Sequence, residues 1–313
     1  MNAVVISQGR VSWEPRPDPV AGPHDLLVRI QAAGINGADL MQRAGHYPPP
    51  AGTPADQPGL ECSGVVEAVG DQVRSFRPGD RVMALMAGAA QAELAAVHER
   101  HAMPVPEAMS AVEAGAFPEV FCTAHDALFT QGGLAMGDRV LVSGAAGGVG
   151  VAAVQLAVAA GATVIASARS RDRHPALAGL GATPVTPDQV PATGPYDVVL
   201  ELVGAPSLAT AIEAIAPWGR VVVIGTGAGS HLELDLGLLM RSRATLRAST
   251  LRNRSLEEKA VVVRRVEHHV LPLVARRVLR VPVEATYPFS QVQAAYERFA
   301  AGAKLGKLVL TAG

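Results

Sequence analysis

Residues 139–167 restrict this chain more than any other stretch. Arg139-Val-Leu-Val-Ser143 reads as a buried strand, Gly144-Ala-Ala-Gly147-Gly148-Val-Gly150 as a turn of small residues, and Gly148 to Ala160 as a helix. Ala162-Thr-Val-Ile-Ala-Ser167 reads as a second strand. That order is a βαβ unit, and such parallel strands need helices over both sheet faces. In this setting the small residues let a pyrophosphate approach the helix N-terminus, where unpaired N–H groups and the helix dipole favour an anion. Gly144, Gly147, Gly148, Val149 and Gly150 are the expected contacts; the alternative is a turn that is merely close-packed.

The type of dinucleotide is decided after the second strand. A carboxylate there would hold a ribose 2′-hydroxyl and repel a 2′-phosphate. Here the strand ends at Ser167-Ala168 and runs into Arg169-Ser-Arg-Asp-Arg173, with no acid at the strand end. Guanidinium groups make charge-assisted bonds to phosphate, so Ser167, Arg169 and Arg173 are expected to grip the phosphate of NADPH. The alternative is a solvated helix start. Cations oppose the dipole at such a position, which makes them odd as purely structural choices.

The first third of the chain has short Val/Ile/Leu runs at Leu26–Ile30, Cys62–Val69 and Asp80–Leu85, separated by Gly and Pro, as in a small β unit. Between them Ala44–Leu60 carries Tyr47-Pro-Pro-Pro50, Pro54 and Pro58 and must be an irregular loop. Buried strands recur at Asp197–Leu202, Arg220–Ile224 and about Ala244–Ser249. A tail with a helical stretch and an aromatic-rich segment, Tyr287–Phe299, ends in a strand at Lys307–Leu310. Twenty-seven basic residues nearly cancel 28 acidic ones, which argues against nucleic acid as the main partner. No run of about 18 apolar residues and no signal-like N-terminus appears, so a cytoplasmic protein is expected, with no membrane partner. Cys62 and Cys122 are too few for a four-thiolate zinc site, and His98 and His101 lie in a segment without helical pattern.

Further strings match one family. They are Ala33-Gly-Ile-Asn36-Gly-Ala-Asp39 followed by Gly45-His-Tyr47, then Pro58-Gly-Leu60-Glu61-Cys-Ser-Gly64, Pro78-Gly-Asp-Arg-Val-Met83 and Phe121-Cys-Thr123-Ala. Leu234–Leu239, Ser249-Thr250-Leu-Arg252, and Gly306-Lys307-Leu-Val-Leu310 extend the match over essentially the whole chain. The chain thus resembles the zinc-free medium-chain dehydrogenase/reductases, the quinone oxidoreductases related to zeta-crystallin. The resemblance implies an α/β protein, with a Rossmann doubly wound parallel sheet (122–257) and a mainly β, GroES-like catalytic domain (1–121) to which 258–313 returns. By that resemblance, zinc-containing relatives look to ligands where this chain has Asn36, Leu60 and Glu119, so no catalytic metal is expected.

By the same resemblance Asn36 would hydrogen-bond the nicotinamide or a substrate oxygen, Tyr47 would stack on or donate to the acceptor, and Thr123 would contact the nicotinamide side. Asn36 as a turn former and Tyr47 as a packed aromatic remain open. Gly204, Gly225, Thr250, Arg252 and Lys307 are expected to complete the cofactor site. One departure is Thr183-Pro-Val-Thr-Pro187, where relatives often carry an aromatic over the adenine. The function so implied is NADPH-dependent hydride transfer to a small-molecule quinone or enone, by a homodimer. Enoyl-thioester or 2-alkenal reduction is the enzymatic alternative. A non-enzymatic NADPH-binding or single-stranded nucleic-acid-binding protein is the alternative of another class.

Overall fold

The computed structural model describes residues 1–312. In chain order its strands are β1 (Asn2–Ser7), β2 (Arg10–Pro15), β3 (Asp25–Ile35), β4 (Glu61–Val69), β5 (Arg81–Leu85), β6 (Leu94–His98), β7 (Ala102–Pro104), β8 (Arg139–Ser143), β9 (Thr163–Ser167), β10 (Thr183–Val185), β11 (Tyr196–Glu201), β12 (Ile215–Val223), β13 (Thr245–Ala248), β14 (Val283–Pro288) and β15 (Lys307–Thr311). The helices are α1 (Gly37–Arg43), α2 (Ala111–Ala114), α3 (Pro118–His125), α4 (Gly148–Ala159), α5 (His174–Ala178), α6 (Ala205–Glu213), α7 (Leu236–Ser242), α8 (Leu256–His269), α9 (Leu271–Ala275) and α10 (Val292–Ala300). Two compact units result: Met1–Cys122 together with the chain from Leu251 onward, and Thr123–Thr250.

The first unit is built on a mostly antiparallel sheet in the order β14-β15-β3-β4-β5-β7, with β6 also paired to β3. Leu26, Val28 and Ile30 of β3 alternate inward, the two-residue period of a half-buried strand. They meet Val66, Val82, Leu308 and Leu310 in one core, where Phe289 stacks on Trp13 at 4.8 Å. The C-terminal strand β15 is seated between β14 and β3, pairing Leu308 with Ile35 and Leu310 with Ala33. The boundary expected at 257 falls instead at Leu251, because the Arg252 side chain bonds Ala87 O, Tyr47 O and Gln42 Oε1 of this unit. His98 and His101, expected outside any helical pattern, cap and end a single 3₁₀ turn, the His98 ring accepting from Arg100 N.

The second unit holds six parallel strands in the order β10-β9-β8-β11-β12-β13. This is the doubly wound order of a Rossmann sheet, reversing direction between β8 and β11, and ligands of such sheets bind at the strands' carboxyl ends there. Gly150–Ala157 of α4 are all buried, which is why that helix is apolar around its circumference. Tyr196 is fully buried and donates its hydroxyl proton to Val190 O at 2.6 Å.

Candidate functional site

In the second unit the glycine turn has the form an anion requires. Gly144 has φ +73°, a region that favours glycine, and its carbonyl accepts from Gly147 N at 3.1 Å. Gly147 caps α4 in extended conformation and has no side chain to fill the first turn. The first intrahelical bond is Val151 N to Gly147 O, so the N–H groups of Gly148, Val149 and Gly150 lack intrahelical acceptors. A Cβ on Gly150 would lie 2.5 Å from Gly144 O, so no larger residue fits. These residues fit a dinucleotide pyrophosphate. At the end of β9, Ser167 is buried and its carbonyl accepts from Ala145 N at 3.0 Å. Beyond it Arg169 and Arg171 are exposed and Arg173 is half-buried, on a loop and a 3₁₀ turn.

The next carboxyl ends depend on a residue that the sequence pattern left unremarked. Glu201 is fully buried, and its Oε1 accepts from Val203 N at 2.6 Å and Gly204 N at 2.9 Å. Two expected cofactor glycines have another reason to be glycine. A Cβ on Gly225 would sit 2.3 Å from Leu202 O, and one on Gly204, at φ +131°, 2.6 Å from Gly229 O. Backbone packing accounts for both, so neither need touch a ligand. Thr250 is exposed just past β13, and Thr123 is buried on α3.

In the first unit, helix α1 begins with a cap supplied by Asp39: Asn36 N donates to Asp39 Oδ2 at 2.8 Å, and Asp39 N donates to the Asn36 carbonyl at 3.1 Å. Asp39 also accepts from Gly59 N at 3.0 Å and Gln91 Nε2 at 3.3 Å, and Gln91 Oε1 accepts from the buried Tyr296 hydroxyl at 2.8 Å. Burial pushes the Asp39 carboxyl up to about 6, against the pull of those N–H groups and of Lys307. The Asn36 side chain donates from Nδ2 to Glu61 Oε1 at 2.9 Å and accepts at Oδ1 from Lys307 Nζ at 2.5 Å. Lys307 Nζ lies 2.6 Å from Glu61 Oε1 and 2.8 Å from Ile35 O, and Glu61 Oε2 accepts from Glu119 N at 2.9 Å. Lys307, expected near a pyrophosphate, is therefore corrected: its side chain is 2% exposed and three oxygens occupy its three protons.

Arg252 is corrected in the same way. It is buried, donates to Ala87 O (2.7 Å), Tyr47 O (2.9 Å) and Gln42 Oε1 (2.6 Å), and stands 5.2 Å over the Tyr47 ring. It anchors the proline-rich loop rather than a nucleotide. Burial, reinforced by Glu119, raises the Tyr47 phenol above its ordinary value, so the ring carries a protonated donor across the physiological range.

Gly225→Ala is expected to lose about 1–3 kcal/mol of unfolding free energy with or without nucleotide, through overpacking against Leu202. Denaturant titration reads this directly; wild-type stability with lost nucleotide affinity would return Gly225 to the list of ligand contacts.

Two family models match: "Alcohol dehydrogenase GroES-like domain" over residues 22–132 and "Zinc-binding dehydrogenase" over 148–267. The chain is 31% identical over 330 residues to the human synaptic vesicle membrane protein VAT-1 homolog, covering 97% of this chain and 83% of that one. It is 30% identical over 320 residues to highly-reducing polyketide synthase 1 of Aureobasidium melanogenum, covering 96% of this chain and 14% of that one. A crystal structure of an alcohol dehydrogenase superfamily protein from Novosphingobium aromaticivorans superposes with a TM-score of 0.87 at 29% identity, over 100% of both chains. The zinc in the second model's description does not fit the residues present. Leu60 has no lone pair, the Asn36 oxygen already faces an ammonium, and no group of three His, Cys, Asp or Glu among the described residues could hold a metal. Among the described residues, no helix is long and apolar enough to cross a membrane. With a GroES-like β unit, a Rossmann sheet and whole-length relatives, this chain is an oxidoreductase of the medium-chain dehydrogenase/reductase superfamily, whose members bind a nicotinamide cofactor.

Proposed function

We propose that the protein is a zinc-independent, NADPH-dependent reductase of quinones or enones. The observation that carries the reading is the Asn36–Lys307–Glu61 cluster: a carboxamide bonded to both charges stands where zinc-containing relatives look for a thiolate, beside Leu60 where they look for an imidazole. NADPH, when bound, supplies a hydride. The first turn of α4 binds the pyrophosphate through Gly148, Val149 and Gly150 N–H groups, and Arg169 and Arg173 hold the 2′-phosphate, with Ser167 beside them. Asn36 and Tyr47 hydrogen-bond the acceptor oxygen and stabilise the negative charge that develops on it, Thr123 orients the ring, and solvent protonates the product.

A second reading, enoyl-thioester reduction, is favoured by the match to the highly-reducing polyketide synthase. One acceptor panel separates the two. Quinones and enones should be turned over with NADPH, and Tyr47→Phe should lower kcat/KM about 10- to 100-fold. Reduction confined to 2-enoyl thioesters would select the second reading, and background rates on every acceptor would refute both.

Calorimetry tests the cofactor. Wild type should bind NADPH more tightly than NADH, and Arg169→Glu with Arg173→Glu should weaken NADPH about 10- to 100-fold while leaving NADH nearly unchanged, as expected for lost charge-assisted bonds. Equal affinities in wild type would overturn the NADPH assignment.

The proposed homodimer joins two second units along β13. Among the described residues, that strand pairs only with β12, and all four of its residues are exposed, Leu246 among them. An unpaired edge invites a second strand. Light scattering should give twice the chain mass, and Leu246→Pro, which blocks strand addition, should give monomer; a wild-type monomer would refute the dimer.

A further inference from the structure

We infer that Lys307 and Glu61 are positioning residues that lock the Asn36 carboxamide in one of its two flip states, leaving a single N–H directed at the acceptor oxygen. The inference rests on the reductase reading. A carboxamide offers two donors on nitrogen and two acceptor sites on oxygen, and its two ends are nearly the same size, so packing alone distinguishes the flips poorly.

Here charge distinguishes them. Nδ2 gives one proton to Glu61 Oε1 at 2.9 Å, and Oδ1 receives one from Lys307 Nζ at 2.5 Å. Rotating the amide by half a turn would face its oxygen to the carboxylate and its NH₂ to the ammonium. Both charge-assisted bonds would be lost and like would face like. The pair is itself held: Lys307 by Ile35 O and Glu61 by Glu119 N, with side chains 2% and 0% exposed. Gly34 leaves the space, since a Cβ there would lie 2.3 Å from Glu61 Oε1.

The backbone N–H of Asn36 is spent on Asp39, and one Nδ2 proton on Glu61. The second Nδ2 proton is the donor left over, on a residue that keeps 8% of its surface exposed. A donor fixed before the substrate arrives needs no reorganisation when charge develops on the oxygen. Lys307 and Glu61 thus act on the reaction through Asn36 and not by touching the acceptor.

A double-mutant cycle tests this. Asn36→Ala should lower kcat/KM for a quinone or enone about 10- to 100-fold, and Glu61→Gln should lower it about 10-fold. The double variant should be no worse than Asn36→Ala. In parallel, isotope-edited infrared spectra of a bound, unreduced acceptor should show a lowered carbonyl stretch in wild type that is lost in both single variants. A purely structural role for Glu61 would lower stability and leave that stretch unmoved. If Glu61→Gln does not fold, Glu61→Asp keeps the charge, withdraws it by one methylene, and should give the same non-additivity. Independent, multiplicative losses in the cycle, or a silent Asn36→Ala in an active enzyme, would overturn the inference alone. A wild type inactive on every acceptor would overturn the reductase reading beneath it.

Discussion

The ammonium of Lys307 buried against Glu61 is the interaction on which the first unit depends. Removing two such charges from water carries a desolvation penalty of several kcal/mol per ion, which mutual attraction offsets only when the remaining protons and lone pairs are also satisfied. The fold meets that condition with Ile35 O, Asn36 Oδ1 and Glu119 N. These partners come from β3, the residue that caps α1, and α3, while the pair itself joins β4 to β15. The last strand of the chain is therefore held in the sheet by side-chain charge as well as by its ladder. Withdrawing either member would strand the other in an apolar interior.

The two units place their polar groups by opposite means. In the second, the features that favour an anion are backbone N–H groups at the start of α4 and glycine, with guanidinium groups exposed beyond β9. Dipoles of that kind take a phosphate without a buried countercharge. In the first, the polar groups are side chains sealed from water and bonded to one another, so their geometry is set before any ligand arrives. A phosphate carries its charge permanently and needs only a complementary surface, whereas an oxygen that becomes charged during reaction gains from donors already in place. On the proposed reading, the division of labour between backbone and side chain follows that difference.

What could be read from sequence was local. The run from Arg139 to Ser167 announces strand, turn, helix and strand within about thirty residues, and the structure has each of them. Arg169 and Arg171 are legible for the same reason: they lie exposed just past the second strand. Lys307 and Arg252 were misread because their partners are 272 and 205 positions away, at Ile35 and Tyr47, and a lysine or arginine in a string of symbols carries no sign of burial. Gly225 reads as a ligand contact in the sequence, where the close approach of Leu202 O cannot be seen. The Asn36-x-x-Asp39 spacing did hold a usable signal, since an acid three positions after an N-cap residue can accept that residue's backbone N–H.

Asp39 makes clear how far placement governs this cluster. Its folded value of about 6 lies above its ordinary 3.8, so the native state binds the proton more tightly than the unfolded chain does. The stabilisation this gives is fully present below about pH 4 and declines as pH rises through 6, so the ionised carboxylate present at neutral pH is held against the stability of the fold. Its retention has a geometric reason. Three donors, on Asn36, Gly59 and Gln91, converge on its two oxygens, and a neutral carboxamide would turn an NH₂ toward at least one of them. Those three bonds set the start of α1, the Pro58-Gly59 turn and the Gln91–Tyr296 contact. Gly59 precedes Glu61 by two residues and Asn36 caps the helix that carries Asp39, so the strain accepted at Asp39 is repaid in the fixed position of the carboxamide that meets Lys307.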